Sequence, residues 1–140
     1  MEYVEFDLAQ LAAGVVVVRF HRLPASDEEV QAYLRRFRTL VHAAAGLGDG
    51  AARPLSLVFA LDNQQLGMPS MALVRAQADF ITEIRPLVEE RGAIRCTAVV
   101  GGALIDVILR LLLAFVRPIA PLRVFPTEAE ALVWARAPEV

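Results

Sequence analysis

The sequence contains no lysine, one cysteine and two histidines, and each shortage narrows the chemistry that the chain can perform. A single cysteine, Cys96, excludes an internal disulfide and a metal site built from several thiolates. Because Cys96 lies in the apolar run Ile94 to Val100, a buried thiol is favoured over a reactive nucleophile. His21 and His42 form neither a metal-binding pair nor a nucleophile-base motif. The sequence therefore predicts no catalytic residue, no metal ion and no cofactor.

An excess of charge of one sign is also missing. All 14 basic residues are arginine, 16 residues are acidic, and the net charge is −2. A chain with so little net charge and no basic stripe is not expected to bind nucleic acid. The longest apolar stretch, Ala103 to Val116, is interrupted by Asp106 and Arg110 and is too short to cross a bilayer. No secretory signal is recognised, so we expect a cytoplasmic protein that is not transmembrane.

What the sequence has in abundance is apolar residues, which make up 56% of its 140 residues and suffice for one domain over residues 1–140. Apolar and β-branched runs predict strands at Val4 to Leu8, Val15 to Phe20, Leu55 to Leu61, Ile94 to Val100 and Leu122 to Phe125. Helices are predicted after the N-caps Ser26, Ser70 and Thr127, and from Ala103 to Arg117. The order ββαβαβαβα predicts an α/β fold whose mixed, mostly parallel sheet begins with a hairpin.

Two stretches carry a family resemblance. Near the end of the chain, Arg123 to Trp134 contains a short strand, a phenylalanine and an acid-capped helix with Ala-Leu and Trp; earlier, the strand Phe59 to Asp62 ends in an aspartate. Together with the element order, these stretches resemble the STAS domain and most closely its SpoIIAA-like relatives. The resemblance implies a STAS-like fold and a non-enzymatic interaction or regulatory module with a protein partner.

The sequence departs from that family where a phospho-acceptor serine is expected. By its spacing from Asp62, the acceptor would fall near Ala72, and Ser70 is the nearby hydroxyl. Ser70 also stands where a helix N-cap belongs, so a structural role is favoured for it. The phosphorylation switch of the regulatory family members is therefore not expected.

Short polar and glycine residues after two strands form the predicted rim of a ligand or partner site. Asp62 and Asn63 follow the third strand, Gly101 and Gly102 join the fourth strand to the third helix, and Ser70 begins the second helix. Ligands of open α/β sheets bind outside the carboxyl ends of the strands. An Asx turn and a tight strand-to-helix turn explain the same residues, and nucleotide binding by them is a weaker alternative.

The third predicted helix is apolar around most of its circumference. Three consecutive leucines, Leu111 to Leu113, alone spread over roughly 200° of its surface, which is more than a stripe facing a sheet. Asp106 and Arg110, spaced i,i+4, predict an ion pair along one polar edge. The excess apolar surface must be covered by something. The residues predicted to form a self-association surface are Leu109, Leu112, Leu113 and Val116.

Two functions remain open at this point. The first is a STAS-like interaction module that forms a homo-oligomer through the third helix. The second is a carrier or sensor of a small apolar ligand or lipid, held between the third helix and the sheet. An unusually enclosed core helix and contact with a membrane surface are further explanations of the same apolar residues.

Overall fold

The computed structural model describes residues 1–48, 50–62 and 66–138, and within them five strands alternate with four α-helices after an initial hairpin. The strands are β1 Val4–Asp7, β2 Val15–Phe20, β3 Leu55–Ala60, β4 Ile94–Val100 and β5 Leu122–Phe125. The helices are α1 Asp27–Ala44, α2 Met71–Arg91, α3 Ala103–Leu113 and α4 Glu128–Arg136. A short 3-10 helix, Leu11–Ala13, joins β1 to β2. The predicted element order and α/β class are confirmed.

The strands form one sheet in the order β1-β2-β3-β4-β5. β1 runs antiparallel to β2, and each later neighbouring pair is parallel, so the predicted mixed sheet with an initial hairpin is also confirmed. The connections between neighbouring parallel strands are right-handed, and here each one leads to the next strand in the same direction along the sheet. Their helices, α1, α2 and α3, therefore lie on one face of the sheet. α4 packs on the opposite face against β3 and β4.

Side-chain caps fix the starts of three helices, as the sequence predicts. The Ser26 and Ser70 hydroxyls accept hydrogen bonds from the backbone N–H groups three residues on, at 3.2 Å and 3.1 Å, and Thr127 does the same for α4. The Glu29 carboxylate accepts a hydrogen bond from the Ala25 backbone N–H at 2.8 Å. α2 ends at Gly92, whose φ of 66° is the left-handed conformation that glycine adopts without strain.

The two faces of the sheet carry separate cores. On the α1 side an aromatic cluster is centred on Phe37, whose ring centroid lies 4.9 Å from that of Phe80 and 6.1 Å from that of Tyr33. On the α4 side the ring centroid of Trp134 lies 5.6 Å from that of Phe125. Cys96 is fully buried on this side, and burial raises the pKa of its thiol, which fits the expected inert cysteine.

α3 differs from its prediction at its end and at its charged edge. The helix ends at Leu113 and not at Arg117, because Phe115 N–H donates to Leu112 O in a tightened last turn and Pro118 disfavours helical backbone at the residue before it. Asp106 and Arg110 are exposed, and within the described part of the chain they form no ion pair. One of the eleven residues of α3, Ile105, is buried.

Candidate functional site

An apolar cavity of about 160 Å³ lies between α3 and the sheet. β3 and β4 form its floor, α2 forms one wall, and the inner side of α3 with the connection to β5 forms the other. Along β4 the lining extends from Ile94 to Val99, which is about 17 Å of strand at the usual rise per residue. The cavity is therefore elongated along the strand direction.

The inner side of α3 supplies most of the cover over this cavity. Four of its side chains line the cavity, and Val116 continues the row after the helix has ended. Ile105 holds the start of α3 in place, since it is 1% exposed and sits directly against Gly101. The first turn of α3 thus packs against the end of β4, whereas its later turns lie over the cavity. The four lining residues of the helix are Ile108, Leu109, Leu112 and Leu113.

Neutral polar atoms interrupt the apolar lining at two places. The Tyr33 hydroxyl donates to Gln77 Oε1 at 2.9 Å, and burial raises the pKa of Tyr33 well above its ordinary value, so the hydroxyl stays protonated. Thr97 is half-buried on the β4 floor, and its hydroxyl has no hydrogen-bond partner among the described residues. The charged residue of the lining is Arg117, at the end of the cavity next to α3. A ligand in the interior would therefore meet hydrocarbon and a few neutral hydrogen-bonding groups.

The size of the cavity limits what it can hold. A cavity of roughly 150 Å³ lined by aliphatic and aromatic side chains stays dry and takes up a benzene-sized ligand, whereas sites for drug-sized molecules are typically 300–1,000 Å³. At about 160 Å³, this cavity matches a short hydrocarbon chain or a single ring. A larger ligand requires α3 to move outward.

A polar hollow adjoins the cavity at the C-terminal end of α3. Its lining consists of Thr82 and Arg85 from α2 and of residues 113–117. Arg117 and two apolar neighbours line both the cavity and this polar hollow, so the two spaces meet there. Arg85 Nη2 donates to the Arg117 carbonyl at 2.7 Å and ties the segment after α3 to α2.

The four residues predicted to form a self-association surface all line the cavity. Val116 is 8% exposed and Leu109 and Leu112 are partly buried, whereas Leu113 lines the cavity but is 40% exposed. Leu104 and Val107, which do not line the cavity, are exposed to similar fractions of 40% and 41%. Self-association through the four predicted residues stays a prediction. Leu109, Leu112 and Val116 are positioned for contact inside the fold, while Leu113 is exposed enough to contact a second copy.

The predicted rim residues that the structure describes lie at the carboxyl edge of the sheet and do not line the cavity, although Asp62 and Ser70 directly follow its lining residues Leu61 and Pro69. Asp62 and Ser70 are exposed, and Ser70 caps α2; Asn63 lies outside the described residues. Gly101 follows β4 directly, and a side-chain carbon there would collide with Ile105. This close approach explains the glycine at 101 by packing, while Gly102 is exposed and begins α3 without a side-chain cap.

Sequence reasoning missed the polar atoms inside the cavity. Gln77 lies on the apolar face of α2, one turn from Leu73 and three residues before Phe80, and this break in the apolar stripe is a signal that could have been found. The sequence gives no comparable signal for Thr97, because the β-branched shape of threonine alone makes it common in strands. The hydrogen bond from Tyr33 to Gln77 joins α1 to α2, so it depends on how these two helices pack.

Within the residues that the structure describes, no helix is long and apolar enough to cross a membrane. The same residues bring together no three histidine, cysteine or acidic side chains that could hold a metal ion. Comparisons of the chain with known protein families, with curated proteins and with solved structures give no match.

Proposed function

We propose that this chain is a carrier or sensor that binds a small apolar ligand in the cavity under α3, and that it performs no catalysis. The observation that carries the proposal is the position of α3, whose inner leucines line an apolar space instead of packing into the sheet. A helix so apolar would gain more by closing onto the sheet if no molecule ever filled that space.

The energetics favour an alkyl chain as occupant. Each methylene group moved from water into such a space contributes about 0.8 kcal/mol, which tightens binding about fourfold per carbon. That gain stops when the space is full, because further carbons stay in water. The neutral polar atoms of Gln77 and Thr97 tolerate a ligand with a hydrogen-bonding group, since each has unused hydrogen-bonding capacity.

The test is a chain-length series of neutral alcohols, hexanol, octanol and decanol, titrated calorimetrically into the purified protein. We expect affinity to rise about fourfold per methylene and then level off as the cavity fills. A matched pair of variants locates the binding. Ala120→Phe places a ring in the cavity lining, whereas Ala129→Phe places one on exposed α4 across the sheet.

Ala120→Phe should abolish alcohol binding, and Ala129→Phe should leave it unchanged. Binding that persists in Ala120→Phe, or that grows with chain length without levelling off, contradicts the proposal because it indicates adsorption to the surface. Native mass spectrometry of gently purified protein gives a second readout, since a retained ligand and the oligomeric state appear in the same spectrum.

A STAS-like, self-associating interaction module is the second candidate, and the exposed outer side of α3 favours it. Leu104 and Val107 are 40% and 41% exposed there, and neither lines the cavity. Light scattering at tens of micromolar tests it, because a modest dimer is populated in that range. A dimer that Val107→Glu converts to a folded monomer supports this candidate; a wild-type monomer removes it.

A further inference from the structure

Arg117 stands where the apolar cavity meets the polar hollow. It lines both spaces, and it is exposed. Within the described ranges, no carboxylate oxygen lies within 4.0 Å of its guanidinium, whereas Arg19, Arg22 and Arg38 are each paired with acids. Among the described residues, the positive charge at the mouth of the cavity therefore has no ion-pair partner.

Arg85 adds a second positive charge to the polar hollow. Its side chain is only 20% exposed, and its nearest acidic oxygen belongs to Glu89 at 3.9 Å, on a side chain that is 62% exposed. Such a long, solvated contact neutralises little of the charge. One N–H group of Arg85 already donates to the Arg117 carbonyl, so the guanidinium is held in place and keeps further donors.

A third arginine contacts a residue that lines the polar hollow. Arg75 lies over the ring of Phe115, with its guanidinium carbon 5.1 Å from the ring centroid. No aspartate or glutamate is among the described residues that line the cavity or the polar hollow. The backbone carbonyls at the end of α3 carry partial negative charge, so any attraction for an anion must come from these arginines.

We infer that the ligand is a single-chain amphiphile with an anionic head group, an alkyl carboxylate, whose chain lies in the apolar cavity and whose head contacts Arg117 and Arg85. This inference rests on the proposed function, because the chain occupies the same cavity. It also gives the bound ligand a direction. The head group lies at the C-terminal end of α3, and the alkyl chain extends along β4 beneath the helix. A planar guanidinium fork matches a carboxylate in charge and in geometry.

The experiment compares octanoate with octanol at pH 7, where the acid is ionised. The two probes share a chain length and differ in the charge of the head. We expect octanoate to bind about tenfold more tightly, the lower end of what charge-assisted hydrogen bonds contribute. Raising the ionic strength from about 0.01 M to about 1 M should remove most of that advantage and leave octanol binding nearly unchanged.

Arg117→Gln locates the effect, and Arg35→Gln is its matched control on the exposed side of α1. Arg117→Gln should remove most of the octanoate advantage and leave the part that Arg85 supplies, while Arg35→Gln should keep the whole difference. Equal affinity of the two probes for the wild-type protein overturns this inference and leaves the proposed function intact. Failure of octanol itself to bind overturns the proposed function, so the two failures are distinguishable.

Discussion

α1 and α3 perform the same topological task and are packed in opposite ways. Each connects two parallel strands across the same face of the sheet. α1 buries six of its eighteen residues, whereas α3 buries one of eleven, although α3 is by far the more apolar helix. The apolar content of a helix therefore does not predict how deeply it is buried.

The difference in burial between α1 and α3 follows from the elements that each helix packs against. α1 packs beside α2 over the middle of the sheet, where the rings of Phe37 and Phe80 interlock. α3 is the last helix in the row, with α2 on one side and only the four-residue edge strand β5 beyond β4. A helix at the end of a row has fewer partners to close against, so an apolar inner side can remain over open space.

The largest expected effect is the loss of an α1 core ring. Phe37→Ala should lower the free energy of unfolding by about 3–5 kcal/mol, because Phe37 is 3% exposed and contacts four other rings. Leu112→Ala in half-buried α3 should cost only about 1 kcal/mol, since part of its surface already faces water or cavity. Urea unfolding of both variants measures the contrast. Equal losses would show that α3 is packed as firmly as α1.

The next effect concerns the one firm anchor of α3. Gly101→Ala should cost about 1–3 kcal/mol, because the added carbon collides with Ile105 and forces the first turn of α3 away from the sheet. Gly102→Ala is the matched control, since nothing lies within 4 Å of the added carbon and the backbone φ of −96° suits alanine. Hydrogen exchange should show faster exchange of α3 amides in Gly101→Ala. Unchanged α3 protection in that variant would mean that the helix is held elsewhere.

A smaller effect on stability is expected from two hydroxyl groups, that of Tyr33 on α1 and that of Thr97 on the cavity floor beneath α3. Tyr33→Phe should cost about 1 kcal/mol, because it removes the 2.9 Å hydrogen bond to Gln77 between α1 and α2. Thr97→Val should leave the stability unchanged or raise it by up to about 1 kcal/mol, since Thr97 lines the cavity and its hydroxyl has no partner among the described residues. Thermal unfolding of the two variants decides this. A clear loss in Thr97→Val would reveal a hydrogen bond of that hydroxyl to water or ligand.

Local signals in the sequence were sufficient for the elements and their order. The serine caps at 26 and 70 and the β-branched run Val15 to Val18 act within a few residues, so they can be read without knowing the fold. The predicted end of α3 at Arg117 lies beyond the observed end at Leu113, because the apolar run continues to Val116 after the backbone has stopped being helical. Hydrophobicity shows where side chains avoid water and not where backbone hydrogen bonds end.

The candidate site was beyond the reach of the sequence for a different reason. Which leucines of α3 face inward depends on the rotation of the helix, and that rotation is set by the contact between Ile105 and Gly101. The cavity itself is a volume left between three elements distant in sequence, so no single stretch encodes it. The sequence could raise an apolar-ligand site as an alternative, but the predicted rim residues do not line the cavity, although Asp62 and Ser70 directly follow its lining residues Leu61 and Pro69.

The smallest expected effect is a difference in acid sensitivity between the two regions. Glu29, in the first turn of α1, accepts two hydrogen bonds from Arg22 at 2.7 Å and 2.6 Å and a third from the Ala25 N–H. Arg22 first, and then the Ala25 N–H, lower the pKa of the Glu29 carboxyl from 4.5 to about 2. α3 carries no ion pair within the described residues, so no such sensitivity is expected of it.

A carboxyl whose pKa is lowered by folding stabilises the folded state above its ordinary pKa, and that contribution is lost as the pH falls toward the lowered value. Stability of the wild-type protein should therefore decline between about pH 4.5 and pH 2. Glu29→Gln should flatten that decline, because glutamine does not titrate, whereas Glu28→Gln, one residue earlier and without an ion pair, should keep it. Urea midpoints measured at pH 7, 4.5 and 3 test this. If the Glu29→Gln and wild-type profiles are parallel over that range, the Arg22–Glu29 pair does not hold α1 in solution as it does in the structure.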